Sequence, residues 1–488
     1  VGLAIAMVGG SLAGWQASDA NPANTLTTTT WSDPLMTWGL ASSGQTGASF
    51  TGTQNTSAHV GAVRMPGIET WSSVTTGYQH TCGITTASVM YCWGQNGSGQ
   101  LGTGGTTAYK YPVIVSGGAT WSTAGAGYVD TCAVKASDST LWCWGDNSDG
   151  QLGDGNTTNQ TSPTAVTTSG VQTWASVSVG YYSACGLKTD SSLWCWGENN
   201  DGQVGNNSTT NVNVPTQVSG TWTSVAVGYD HTCAILTSTS ALYCWGDNAN
   251  GQIGDGTTGT NRLVKTAVST TGVQTWTAVA AAQDSAIGNG FTCGIKAGGT
   301  LWCWGYNGLN ELGNNTTTNQ STPVQEYTAS TNWSNVILLA HTGCGLRTTG
   351  ALWCWGYNDV GEIADGTTTQ RAVPVASGTS TAWSTLAGGY STLCGVQADQ
   401  GIWCQGNDGD GEIGMDGTEL TSPSYVLPPA SSFVSATESV LDGCGVRDTG
   451  TLWCWGSNNN GVDGVNYGST NIWPAQVGAA TNWQSVSV

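Results

Sequence analysis

An all-β fold, a β-propeller of four-stranded antiparallel blades, is predicted by three observations. A unit of about fifty residues recurs nine times, each unit carries strands written in period two, and eight of the nine hold a cysteine pair at one place. Aligned on an aromatic residue, the units begin at Trp71, Trp121, Trp174, Trp222, Trp276, Trp333, Trp383 and Phe433, with residues 1–70 as a degenerate first copy. The unit starting at Trp222 shows the parts in order. WTSVAV is a strand, GYD a turn, HTCAIL a strand, TSTS a hairpin loop and ALYCWG a third strand. A Gly/Asn-rich loop and a Thr/Asn-rich stretch then lead to the next Trp.

In LWCWG (141–145), Leu141 and Cys143 face one way and Trp142 and Trp144 the other, so both faces are apolar. A strand of that kind is buried on both sides, as in sheets packed radially against neighbouring sheets. The tryptophans are therefore expected in the blade core. Composition agrees: Gly (72) and Trp (25) are in excess, and charged residues are only 8%. Thirty acids against ten bases give a net charge of −20. Ten scattered cations assemble no basic patch, which disfavours nucleic-acid binding by phosphate neutralisation.

The 16 cysteines form eight pairs: Cys82/Cys92, Cys132/Cys143, Cys185/Cys195, Cys233/Cys244, Cys293/Cys303, Cys344/Cys354, Cys394/Cys404 and Cys444/Cys454, each ten or eleven residues apart. Their regularity implies a disulfide framework and an oxidising, extracellular or cell-surface setting. The two members sit on consecutive strands of an antiparallel hairpin, opposite one another and within bridging distance. In the degenerate first unit Ala13 and Thr37 take both cysteine places, the joint loss expected of a bonded pair.

The pattern Trp-Gly-x-Asn-x-x-Gly-Gln-Leu-Gly stands as WGQNGSGQLG (93–102), WGDNSDGQLG (144–153) and WGENNDGQVG (196–205), beside GYQHT (77–81) and GYDHT (228–232). It resembles the regulator-of-chromosome-condensation repeat, and secreted bacterial propellers of that type are the nearest analogy. The resemblance implies a β-propeller, commonly of seven blades, against nine units here. Where photoreceptors of that family place tryptophan in Gly-Trp-x-His-Thr, this chain has Tyr78, Tyr128, Tyr181, Tyr229 and Tyr390.

Catalytic chemistry is not written in the chain. Of four histidines (His59, His80, His231, His341), His80 and His231 share a repeat position that elsewhere holds Asp130, Ser183 or Phe291. A catalytic group would not recur by blade and vary freely, so a side chain bonded across the blade is the reading. No nucleophile elbow, phosphate loop or HExxH occurs. Acidic loops gather Asp146, Asp149 and Asp154, then Asp247 and Asp255, and most densely Asp408, Asp410, Glu412 and Asp416. They read as turns, with calcium as the alternative for the last group, although none has the D-x-[DN]-x-[DN]-G spacing. No other cofactor is implied. Sequons at Asn55, Asn96, Asn156, Asn159, Asn206, Asn207, Asn314, Asn315, Asn319 and Asn332 mark loops open to glycans.

Domain organisation reads as 1–70, a degenerate unit with an apolar N-terminal segment; 71–482, eight disulfide-bearing repeats; and 483–488, a closing strand. Residues 1–16 read as a blade strand or assembly segment, as a signal remnant, or as a membrane anchor too short to span. The stub WQSVSV (483–488) matches the first strand WASVSV (174–179) and is expected to complete the N-terminal blade within one molecule. That leaves Val1 to Met7 to pack on its own ring or add to a neighbouring subunit. The function expected is a non-enzymatic extracellular scaffold binding protein or surface glycan through loop faces. The alternative is a self-assembling surface or filament subunit using Val1, Leu3, Ile5, Met7, Trp483, Val486 and Val488.

Overall fold

The computed structural model describes residues 24–27, 71–167, 173–269, 275–282, 289–378, 383–397 and 402–406, and the strands 420–425, 433–438, 442–447, 452–456 and 471–476. All regular structure among these residues is β-strand. The chain divides into two compact units, 70–426 and a second that combines 1–69 with 427–488.

The larger unit contains seven four-stranded antiparallel blades, at 71–114, 121–165, 174–218, 222–267, 276–325, 333–376 and 383–425. Blade 2 is typical, with strands Trp121–Ala126, Asp130–Lys135, Leu141–Gly145 and Gln160–Ala165 hydrogen-bonded in chain order. Blades 3 and 4 share one long strand, Val212–Val227, which is outermost in the first and innermost in the second. It turns at Gly220 (φ 116), a backbone geometry that favours glycine.

First strands of successive blades meet around an axis, and blade 7 meets blade 1. The join is visible at two places: the rings of Tyr390 and Tyr78 are 4.6 Å apart, and a Cβ on Gly389 would strike the carbonyl oxygen of Gly77. Seven of the nine repeats therefore close a ring, the number that the repeat resemblance implied. In the other unit, Asn24–Thr27 pairs antiparallel with Phe433–Glu438, in a sheet continued by Asp442–Arg447, Leu452–Gly456 and Asn471–Gln476. The stub 483–488 and the apolar start 1–16 lie outside the described residues.

Each hydrophobic cluster spans a seam between blades. Cys132, Val134, Leu141, Cys143 and Leu152 of blade 2 pack with Trp174, Val177, Val179 and Trp196 of blade 3. Trp144, Trp196, Trp245 and Trp304 are fully buried at equivalent positions, as expected. Trp142, on the same face of its strand as Trp144, is only half-buried, because it lies at the blade's end.

Every blade of the ring carries one disulfide from its second strand to its third. The bonded pairs are Cys82–Cys92, Cys132–Cys143, Cys185–Cys195, Cys233–Cys244, Cys293–Cys303, Cys344–Cys354 and Cys394–Cys404, with Cα atoms 4.0–4.1 Å apart. Each pair is also a register pair of the antiparallel ladder, as Cys185 with Cys195, Cys293 with Cys303 and Cys344 with Cys354 illustrate. The pairing is the one the spacing predicted. Cys444 and Cys454, in the other unit, are register partners in the same way.

Candidate functional site

Antiparallel blades in one orientation put all first-to-second turns and all third-to-fourth loops at one end of the ring. The repeat motif builds those loops from within. Asn147 of WGDN is buried; its Oδ1 accepts from Leu152 N (3.0 Å) and its Nδ2 donates to Thr158 O (3.1 Å) and Asp154 Oδ1 (3.1 Å). Trp196 Nε1 reaches back one blade to donate to Gln151 O (2.8 Å). Gly153 (φ 65) lies so close that a Cβ there would sit 2.9 Å from that indole nitrogen. In blade 7, Gln405 takes the tryptophan's place and keeps the bond, Nε2 to Glu362 O at 2.7 Å. Asn96 is fully buried in the same role, which closes that sequon to a glycan in the folded ring.

The turn residues line the axis at this end. Backbone bonds run from blade to blade: Tyr78 N to Gly127 O, Tyr229 N to Ala282 O, Ala340 N to Tyr390 O. Side chains follow, and five tyrosines from blades 7, 1, 2, 3 and 4 touch in sequence. Ring centroids are 4.6 Å apart for Tyr390–Tyr78, 4.4 Å for Tyr78–Tyr128, 3.8 Å for Tyr128–Tyr181 (stacked) and 4.0 Å for Tyr181–Tyr229. Tyr182 stands edge-on to Tyr181 at 4.5 Å. Tyr181 is buried and the other five rings are half-buried. Burial, then Tyr128, holds the Tyr181 phenol well above its ordinary range.

Carboxylates flank the tyrosines over blades 2 to 4. Asp146 N bonds to Val129 O, Glu198 N to Tyr182 O and Asp247 N to Asp230 O, which sets each acid beside a tyrosine-bearing turn. Burial pushes the Asp230 carboxyl up to about 9, helped by Asp201, Glu198 and Asp247. Glu198 and Asp247 are also raised, by burial first and then by Asp149 and Asp201 respectively. Blade 1 has Gln79, Gln95 and Ser98 at the matching positions. Over blades 5 and 6 lie Tyr306, Tyr357 and a His341–Glu311 pair, Nδ1 to Oε1 at 3.0 Å.

Beneath the turns, polar side chains cross the seams. His80 Nε2 meets Thr131 Oγ1 at 2.9 Å, and that hydroxyl donates to Gln100 O (2.8 Å). Since threonine has one proton to give, Nε2 carries the imidazole's hydrogen. His231, Thr292 and Gln252 repeat the arrangement. Burial drives the two imidazoles down to about 3 and about 4, so they are neutral at pH 7. The reading of these histidines as cross-linking side chains holds, and the bond runs between blades. Asp130 occupies the same position, but the next blade offers Ala184 where Thr131 would be. Both its oxygens are buried without a partner, and burial, then Asp146, raises its carboxyl well above the usual range.

At the opposite end, cations lie over indoles. Lys135 Nζ is 3.4 Å from the Trp142 ring centre, Lys188 4.1 Å from Trp194, Lys296 3.9 Å from Trp302 and the Arg347 guanidinium 3.6 Å from Trp333. Back at the tyrosine end, in the third-to-fourth loops of blades 4 and 6, Arg262 and Arg371 are paired with Asp255 and Asp365.

Fold and cross-seam bonding define a β-propeller with one axial aromatic mouth. The family described as "Regulator of chromosome condensation (RCC1) repeat" matches residues 89–134, 138–187 and 190–235, and a second profile so described matches 71–100, 174–203 and 222–252. Among solved structures, human WBSCR16 is similar at a TM-score of 0.60 and 21% identity, covering 70% of this chain and 94% of its own. Prp20p of Saccharomyces cerevisiae, described with its binding properties to Gsp1p and histones, is similar at 0.58 and 16%, covering 78% and 94%. The same yeast protein bound to Kap60 gives 0.57 and 16%, covering 79% and 94%. At these identities the likeness is one of fold.

Of the acids singled out in the sequence, Asp146, Asp149 and Asp247 fall at the tyrosine end. Asp154 and Asp255 serve loop and ion-pair roles. Asp408, Asp410, Glu412 and Asp416 lie outside the described residues, as do Val1, Leu3, Ile5, Met7, Trp483, Val486 and Val488. Among the described residues no three His, Cys, Asp or Glu gather to hold a metal ion, and no helix is long and apolar enough to cross a membrane. Sequence reasoning noted the tyrosines only for what they replace. Their recurrence at one repeat position was the available signal, since equivalent positions in a ring share one radius.

Proposed function

We propose that this chain is a non-enzymatic extracellular scaffold that binds a protein partner through the tyrosine end of its ring. The observation that carries the reading is the run of five tyrosines, each touching the next and four of them half-buried, at the mouth of the axis. Tyrosine supplies large contact area at low entropic cost and is enriched where proteins meet. The cystine in every blade of the ring supports the oxidising setting. Structural neighbours whose descriptions name Gsp1p, histones and Kap60 as partners support protein binding as a use of this fold. The test is capture of surface and secreted proteins by the intact chain, beside a Tyr78→Ser/Tyr229→Ser variant. A partner retained by the first and lost by the second supports the reading. A partner released by glycan-cleaving enzymes replaces protein with glycan.

A further inference from the structure

We propose that the sector of the tyrosine end over blades 2 to 4 docks a basic protein segment, with a lysine or arginine side chain against Tyr128, Tyr181 and Tyr229 and beside Asp146, Glu198 and Asp247. This rests on the reading of the tyrosine end as the binding face and adds the partner's charge. Three independent features converge on that sector. Tyrosine faces carry negative quadrupole potential that attracts ammonium and guanidinium groups, and half-buried Tyr128 and Tyr229 flank the buried Tyr181 at 3.8 and 4.0 Å. Backbone bonds fix one carboxylate beside each of these turns, whereas blade 1 has glutamines and serine there. Asp130, wholly buried and with both oxygens unpartnered, turns its Oδ1 to within 2.5 Å of where a Gly127 Cβ would stand, directly under the Tyr128 turn.

Among the described residues the chain's cations are already engaged, Lys265 with Ser219 O and the Trp222 ring. Lys135, Lys188, Lys296 and Arg347 are committed to tryptophans at the far end, and Arg262 and Arg371 to Asp255 and Asp365. Burial of Asp230 beside Glu198, Asp201 and Asp247 favours its protonated form, and a cation docked there would favour ionisation. A basic segment fits better than a metal ion, because the acids stand on separate blades. Five are already engaged at one oxygen by a side-chain amide: Asp146 by Gln151 (2.8 Å), Asp149 by Asn211 (2.8 Å), Glu198 by Asn200 (2.8 Å), Asp201 by Asn261 (2.6 Å) and Asp247 by Gln252.

The experiment titrates the intact chain calorimetrically with octalysine, octaserine, octaglutamate and calcium chloride. It is repeated on Asp146→Asn/Glu198→Gln, on Asp138→Asn/Asp190→Asn and on Tyr229→Leu, each shown folded by its denaturation midpoint. Octalysine should bind and weaken about tenfold in the first variant and in Tyr229→Leu. The second variant removes the same charge from the opposite end and should change affinity less than about twofold. Equal weakening by both charge variants means attraction to net charge alone and overturns the proposal. So does no octalysine binding, or calcium binding that the first variant abolishes. Octaserine or octaglutamate binding that depends on Tyr229 keeps the face and discards the basic partner. If no peptide responds to Tyr229→Leu, both readings fall.

Discussion

The two ends of the ring put aromatic rings and charges in opposite relation. At the end with short hairpins, Lys135, Lys188, Lys296 and Arg347 each cover an indole, so ring and cation satisfy one another within the chain. At the end with long loops, tyrosines touch tyrosines and carboxylates crowd beside them. One end is self-complementary; the other carries like charges forced together at some expense of stability. Strain retained in a well-packed scaffold is a mark of use, and the contrast supports the proposed use of the tyrosine end.

The largest expected effect sharpens the contrast in depth. Trp196→Ala removes a fully buried indole and its bond to Gln151 O, and should cost about 3–5 kcal/mol. Trp194→Ala, two residues away but half-buried under Lys188, should cost about 1–2 kcal/mol. Denaturant midpoints of the two variants check this, and equal losses would break the distinction. The cystines, shared by both ends, give a yardstick: Cys132→Ala/Cys143→Ala should cost roughly 2–3 kcal/mol without preventing folding. Non-reducing peptide mapping should find Cys132 joined to Cys143 and Cys233 to Cys244.

Asp230→Asn should act in the opposite direction. A carboxyl raised to about 9 in the fold contributes stability below its unfolded pKa near 4 and loses it as pH rises toward 9. The amide keeps the neutral form, so the variant should gain at pH 8, where linkage sets a ceiling of about 5 kcal/mol, and nothing at pH 4. The buried histidines have the reverse sign. Their lowered values make the fold lose stability as pH falls below about 6.5, until about pH 3–4, and His80→Gln/His231→Gln should flatten that limb of the midpoint curve. The smallest effect belongs to the satisfied end, where Lys135→Met should cost about 0.5–1 kcal/mol at any pH near neutral.

Much of this was legible in the residues. Cysteine spacing on consecutive strands gave the pairing, because antiparallel register puts Cys132 opposite Cys143. Period two gave the faces of LWCWG but not the different depths of Trp142 and Trp144, which depend on where the strand ends relative to the neighbouring blade. Which repeats join the ring was hidden for a similar reason. Closure is decided by the angle between packed blades, and the unit at Phe433 reads as well as those within the ring. The WGxN asparagines fall in what the sequence shows only as a Gly/Asn-rich loop, and their buried knots depend on loop folding that no local pattern records. Nor does a recurring tyrosine announce that its copies touch, because that needs the curvature of the whole ring.

The placement of the cystines bears on how such a chain matures. Sixteen cysteines offer a very large number of wrong partners. Here Cys82 and Cys92 are ten residues apart, and the next cysteine, Cys132, is forty beyond. Two doublings of loop length disfavour the wrong closure by about 1.2 kcal/mol, roughly a factor of eight, while the chain is still unfolded. Each hairpin can thus complete its oxidation as it emerges, vectorially and without proofreading by its neighbours, and the ring is assembled from parts already sealed.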